Sequence, residues 1–262
     1  MIERIASRYK VKLKSRHAIA SKSLDHIHPC GTIADNSSNH KFNEKLYKLF
    51  PEREIKVLDI GCSGGKFVRD CLEDGYLAVG IEGSDISKRQ KRAEWGRIPQ
   101  FLFTCDATKD FTLYLNNPGR PLKFDVITAW EFFEHIEKKD ISGVIKNIKK
   151  HISKDGLFIM STTTRPSTID GIDLHRTKET KRWWINEFAR HGLKYRPEFV
   201  RYFNTQWIRG GAERSDDFHV IVGNYNGKPP KIGVLENVRD LKKGRSIKGA
   251  AGIIRDKLLY EK

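Results

Sequence analysis

Three acidic residues and one glycine turn carry most of the chemical information in this sequence. Asp59-Ile60-Gly61-Cys62-Ser63-Gly64-Gly65 closes the apolar run 55–60 (IKVLDI), where a strand should turn into a helix. A glycine-rich turn there lets backbone approach a ligand closely, and the following helix start offers free N–H groups. Glu82 ends a second apolar run, 77–82 (LAVGIE), 17 residues after Gly65. A carboxylate in that place can accept hydrogen bonds from both hydroxyls of a ribose. Asp106, in Cys105-Asp106-Ala107-Thr108, follows a third apolar stretch and could accept from an adenine amino group. Polar anchors at the ends of three successive strands fit an adenosine-containing cofactor. The turn is not Gly-x-Gly-x-x-Gly, which disfavours a pyrophosphate-binding dehydrogenase, and no GxxxxGK[ST] phosphate loop is present.

Such anchors need neighbouring parallel strands to bring them together. Strands are predicted at 55–60, 77–82, near 101–103, at 124–130 (FDVITAW) and at 157–161 (LFIMS). Helices alternate with them. Phe67, Val68, Cys71 and Leu72 suit one helical face, a short helix fits about 87–95, and Ile141, Val144, Ile145, Ile148 and Ile152 form a stripe. Another helix covers about 178–191. This alternation means βαβ units and a mainly parallel sheet. Two β-like segments, around 198–204 and at 218–223 (FHVIVG), are expected to pair as an antiparallel edge hairpin. Upstream, Ile2, Ile5, Tyr9 and Leu13 fit a basic amphipathic helix over 1–16, 24–40 reads as a loop, and a short helix follows at about 41–49.

The 262 residues are 38% hydrophobic and 31% charged, which excludes a collagenous or low-complexity chain and argues against wholesale disorder. No stretch approaches the ~20 apolar residues of a membrane-spanning helix, and the N-terminus has no apolar run of the secretory kind. Cys30, Cys62, Cys71 and Cys105 form no CxxC pair, so a reduced, cytoplasmic location is expected. The net charge of +16 is uneven, with +6 in residues 1–50 and +6 in 228–262. The organisation expected is a basic N-terminal extension and cap (1–50), a catalytic domain (51–227) and a basic tail (228–262). The basic ends could draw the protein toward an anionic partner or only keep it soluble.

VLDIGCSGG, VGIEGSD, CDAT and FDVITAWEFFEHI, in this order within residues 55–162, resemble the successive motifs of class I S-adenosylmethionine-dependent methyltransferases. The resemblance implies a Rossmann-like α/β fold. Its sheet would be seven-stranded and mostly parallel with an antiparallel last strand, and helices would cover both faces. It implies S-adenosyl-L-methionine as cofactor and S-adenosyl-L-homocysteine as product. It places Asp59 near the methionine end of the cofactor and the turn Gly61, Cys62, Ser63 and Gly64 against it. Glu82, beside Gly83, would bind ribose; Asp106, beside Ala107, would bind adenine; Trp130 would line the same site. A narrower likeness lies in GTIADNSSNHKFN, EGSDISKRQKRAEW and AWEFFEHI. These resemble bacterial and viral methyltransferases linked to polysaccharide biosynthesis, and imply O-methylation of a sugar in a glycan or its precursor.

The end of the fourth strand, Trp130-Glu131-Phe132-Phe133-Glu134-His135, should face the reacting atom. It lacks the Pro-Pro-aromatic motif of an adenine-N6 enzyme and the cysteine of a cytosine-C5 enzyme. A neutral sugar hydroxyl is a poor nucleophile, and a general base contributes ~10²–10⁴ in rate. His135 and His175 are the candidate bases, Asp173 is expected to orient the His175 imidazole, and Glu131 joins the catalytic set. The competing structural roles are a core histidine opening the next helix for His135 and local turn hydrogen bonds for Asp173 and His175. Asp170, Asp173, Glu131 and Glu134 could give oxygen ligands to a divalent cation, but no spacing supports one. His26, His28 and Cys30 match no common zinc pattern. The alternative function is an RNA methyltransferase whose basic termini grip phosphates.

Overall fold

The computed structural model describes residues 1–51, 53–211 and 213–231. Six apolar runs build one sheet: β1 Lys56–Ile60, β2 Leu77–Glu82, β3 Leu102–Thr104, β4 Phe124–Trp130, β5 Ile152–Thr163 and β6 Asp217–Gly223. Their order is β6-β5-β4-β1-β2-β3, and every pairing is parallel except β6 against β5. Both β2 and β4 are buried along their whole length, as continuous apolar runs must be when helices cover the sheet. The larger helices around it are α1 His40–Lys48, α2 Lys66–Glu73, α3 Ile141–His151, α4 Lys181–Arg190 and α5 Pro197–Phe203. No helix among the described residues is long and apolar enough to cross a membrane. The expected basic tail lies, beyond Lys231, outside the described residues.

The α/β class and the reversed last strand stand, but the sheet has six strands because 198–204 is not one of them. Pro197 opens a helix there, and Phe199, Val200 and Phe203 bury one of its faces. The antiparallel partner of β6 is instead β5, with Phe218 opposite Thr162 and Val222 opposite Phe158. At the other end, the expected helix over 1–16 stops at Arg8. Val11-Lys12-Leu13-Lys14 alternates apolar and basic residues, the period of a strand, and Lys12–Ser15 pairs antiparallel with Phe111–Tyr114. The segment read as a loop over 24–40 contains two short helices, Leu24–Ile27 and Cys30–Ala34.

Helix α3 buries Ile141, Val144, Ile145 and Ile148, while Ile152 leaves the helical stripe to open β5. The helix comes so close to the chain after β3 that a Cβ at Gly143 would stand 2.2 Å from the Thr108 carbonyl oxygen. Backbone cannot yield there, so Gly143→Ala should cost about 1–3 kcal/mol in chemical denaturation. Gly31→Ala, where nothing lies within 4 Å, should be neutral or slightly stabilising. Equal effects at the two positions would refute this packing.

Candidate active site

The order of strands reverses between β1 and β4, and the chemistry gathers at the carboxyl ends there. Asp59, near the end of β1, lies opposite Thr128 of β4, whose hydroxyl donates to its Oδ1 at 2.6 Å. Asp59 is buried, and burial drives its pKa up to about 8; the Thr128 bond opposes this, while the Asp35 and Glu82 charges add to it. Glu82 ends β2. Its carboxylate accepts from the Ser63 N–H at 2.9 Å and the Ser84 N–H at 3.1 Å. Burial also raises its pKa, tempered by those N–H groups. Asp106 follows β3, half-buried, and accepts from the Thr108 N–H and hydroxyl at 2.9 and 2.6 Å. A carboxylate oxygen has more than one lone pair, so all three acids can still accept from a ligand.

The turn between β1 and α2 is strained and heavily braced. Gly61 and Gly65 have φ of 78° and 87°, and Ser63, a residue with a side chain, has φ of 46°. The Ser63 hydroxyl lies 2.7 and 2.8 Å from the carbonyl oxygens of Thr32 and Asp35, and Arg92 donates to the same two oxygens. A Cβ at Gly64 would fall 2.3 Å from Asn36 Oδ1, which accepts from the first N–H of α2. The segment before α1 is therefore a cap pressed on the turn. It continues across the other strand ends, where Ala20 N–H donates to the Gly83 carbonyl and Asp106 N–H to that of His17. Cys62 is buried, with burial pushing its thiol pKa well up. The carbonyl of Ala107 accepts from Asn147 Nδ2. Trp130 is buried edge-on against Phe42.

A second cluster sits where β4 ends. Glu131 has φ of 48°, and its N–H donates to Ser161 Oγ at 2.9 Å. Glu134 is fully buried: Oε2 accepts from Thr162 at 3.0 Å, Oε1 has no partner, and burial raises its pKa to about 7. The rings of His135 and His175 meet edge to face, 4.7 Å apart. His135 Nδ1 stands 3.0 Å from Asp25 Oδ1 of the cap. Burial pulls the His135 pKa down, but Asp25, Glu134 and Glu131 outweigh it and leave it raised. The His175 pKa is lowered, chiefly by burial. His175 Nδ1 donates to the Arg165 carbonyl, which leaves Nε2 free. That carbonyl, and not Asp173, orients the ring. Asp173 accepts instead from the His175 and Ser167 backbone N–H groups and pairs with Lys178.

Glu134, His135 and His175 bring their ligand atoms within 4.8 Å of one another, the group among the described residues that could hold a metal ion. Asp173 is spent on Lys178, and Asp170 lies in the bend of the adjoining hairpin, so the oxygen set named from the sequence is not gathered here. Asp25, Asp35 and Arg209 also reach these two clusters. Each lies far along the chain from its partners, and no local pattern marks it. A surface concavity of about 530 Å³ around Lys154, Lys194 and Gly223 lies at the opposite end of the sheet and touches none of these groups.

A family model described as a methyltransferase domain matches residues 36–204. The chain belongs to the methyltransferase domain family. Its cofactor is S-adenosylmethionine. The residues present fit a molecule with a cationic sulfonium, because Asp59 and Glu82 are buried with only neutral donors bonded to them. The ubiquinone biosynthesis O-methyltransferase of Bartonella quintana is 26% identical over 144 residues, 54% of this chain and 55% of that one. That of Haemophilus ducreyi is 34% identical over 115 residues, 42% of this chain and 46% of that one. The chain thus spans about half the length of the curated relatives it matches. Among solved structures, a TehB-like SAM-dependent methyltransferase of Corynebacterium glutamicum superposes with a TM-score of 0.50 at 14% identity, over 85% of this chain and 97% of that one. At that identity the likeness concerns the fold.

The raised Asp59 pKa makes a measurable claim about this methyltransferase domain. A carboxyl held protonated by the fold contributes stability below its ordinary value of 3.8 and loses that contribution as pH climbs toward 8. Asp59→Asn keeps an acceptor for Thr128 and removes the titration. The variant should melt higher than wild type at pH 8 and gain nothing at pH 4. The same shift at both pH values would refute the assignment.

Proposed function

We propose that this chain is an S-adenosylmethionine-dependent O-methyltransferase, with Asp59, the Gly61–Gly64 turn, Glu82 and Asp106 holding the cofactor. Gly83, Ala107 and Trp130 shape the walls of that site. When bound, the cofactor supplies an electrophilic methyl group. The acceptor is a hydroxyl delivered beside Glu131, His135 and His175, with Glu134 buried next to the two histidines. One observation carries this reading. Two imidazoles meet at the end of β4, His175 with Nδ1 bonded to a carbonyl and His135 with Nδ1 3.0 Å from Asp25 Oδ1, and the lowered pKa keeps His175 neutral near pH 7. His175 Nε2 takes the hydroxyl proton as the oxygen attacks, while His135, drawn toward protonation by Asp25, positions the oxygen by donating to it. Asp173 holds the backbone that presents His175. Positioning supplies the larger share of the acceleration.

The acceptor we favour is a sugar hydroxyl, supported by the charged lining of Asp25, Glu131, Glu134 and His135 and by the sequence likeness to polysaccharide-linked enzymes. A second reading has its own support. Among the described residues, apart from Met1, the exposed large hydrophobic ones are Ile27, Ile33 and Ile172, at 55%, 41% and 40%. Each lies within two residues of a group in the site: Asp25, Asp35 or Asp173. Exposed apolar side chains on the segments that carry these acids suit a phenolic acceptor with an apolar substituent, in keeping with relatives named for ubiquinone biosynthesis.

Labelled methyl donor, offered with glycosides, an alkyl-substituted catechol and structured RNA, decides among acceptors. Label is expected in a glycoside; label in the catechol alone supports the second reading, and salt-sensitive label in RNA overturns both. His175→Ala should lower kcat about 100-fold or more. The rising limb of kcat/KM against pH should lie below about 6.5, the ordinary imidazole value. A limb above that value would transfer the base to His135.

A further inference from the structure

His219 is a buried histidine with no part in the chemistry above, and its contacts lead back to the cofactor site. Its ring stacks on Trp207, with centroids 3.8 Å apart and planes 7° from parallel. Burial pushes its pKa down to about 3, so the ring is neutral, and Nε2–H donates to the Arg209 carbonyl at 3.0 Å. The next residue, Gly210, has φ of 76°, and a Cβ there would stand 2.8 Å from His219 Nε2. Asn39, which caps α1, donates its Nδ2 to the Trp207 carbonyl at 2.9 Å. The backbone at Arg209 is thus fixed from two sides, a costly arrangement for a surface arginine.

The guanidinium so positioned hangs over the glycine turn. Nη1 lies 2.7 Å from Asp35 Oδ1 and Nη2 3.4 Å from Glu131 Oε2. Both partners border the turn. The Asp35 carbonyl lies within hydrogen-bond distance of the Ser63 hydroxyl, and Phe132, next to Glu131, comes within 2.8 Å of where a Gly61 Cβ would be. The other guanidinium at this place, that of Arg92, is spent on Thr32, Asp35 and Ser63. Asp35 lies close enough to Asp59 for its charge to raise that group's pKa, so Arg209 faces the methionine end of the cofactor among several acids.

We infer that Arg209 anchors the α-carboxylate of the cofactor's methionine half, and that His219 and Trp207 are positioning residues for it. The inference rests on the cofactor assignment above. An arginine fork suits a carboxylate bidentately, and the loose 3.4 Å contact to Glu131 is the one a ligand carboxylate replaces. The ligand's ammonium then meets Asp35 and Asp59, so the amino-acid end finds complementary charge on both sides.

Calorimetric binding of S-adenosylhomocysteine and of 5′-methylthioadenosine, which lacks the amino-acid portion, tests this. Wild type should prefer S-adenosylhomocysteine. Arg209→Met should weaken S-adenosylhomocysteine about tenfold or more and leave methylthioadenosine unchanged, which also shows that the variant is folded. His219→Phe, which keeps the stack and loses the hydrogen bond, should show a smaller loss confined to the same ligand. Arg209→Lys, keeping charge without the fork, should fall between wild type and Arg209→Met on that ligand. Loss of both ligands to the same extent in Arg209→Lys, or no loss in Arg209→Met, overturns the inference. Wild type binding neither ligand would instead remove the cofactor assignment.

Discussion

Two carboxyl groups at the ends of adjacent parallel strands, Asp59 and Glu82, are buried with only neutral hydrogen-bond donors for partners. Taking negative charge out of water without a counter-cation is expensive, and the raised pKa values record that expense. The rest of the site is arranged around this condition. The turn that joins β1 to α2 adopts left-handed backbone so that the Ser63 N–H reaches Glu82. The Ser63 hydroxyl and Arg92 then fasten the cap to the same turn. A ligand with a fixed positive charge removes the electrostatic cost without disturbing those bonds.

The cap also joins the two clusters of the candidate site. Asp35 and Asn36 lie on the glycine turn, while Asp25, ten residues earlier, stands 3.0 Å from His135. Arg209 links the cap to Glu131, the residue with left-handed backbone just after β4.

Much of this was readable from the sequence, and the remainder has identifiable causes. The strands carrying Asp59, Glu82 and Trp130 are continuous apolar runs, and their ends are marked by turn residues, so the acids announced their own positions. His135 and His175 follow the fourth and fifth strands, where the sequence alone points to them, and their rings meet. The orientation of His175 was not readable, because its partner is a carbonyl oxygen that any residue could supply. The helix at 197–203 reads as strand in the sequence because Phe199, Val200, Tyr202 and Phe203 are β-prone types whose helical face is short. The Arg209 clamp depends on Asn39 and His219, residues far apart in the chain whose polar types give no periodic signal.

The cap is anchored at both of its ends. Lys12–Ser15 is paired into a small sheet with Phe111–Tyr114, and α1 begins at His40 with Phe42 wedged among Phe67, Trp130 and Phe203. Residues 16–39 therefore form a bridge with fixed abutments, tied down between them at His17, Ala20, Asp25, Thr32 and Asp35. The entropy of closing such a loop grows only with the logarithm of its length, so lengthening it near the exposed Ile27 costs little in closure. A longer segment there would change the ceiling beside His135 while the strand ends below keep their own contacts.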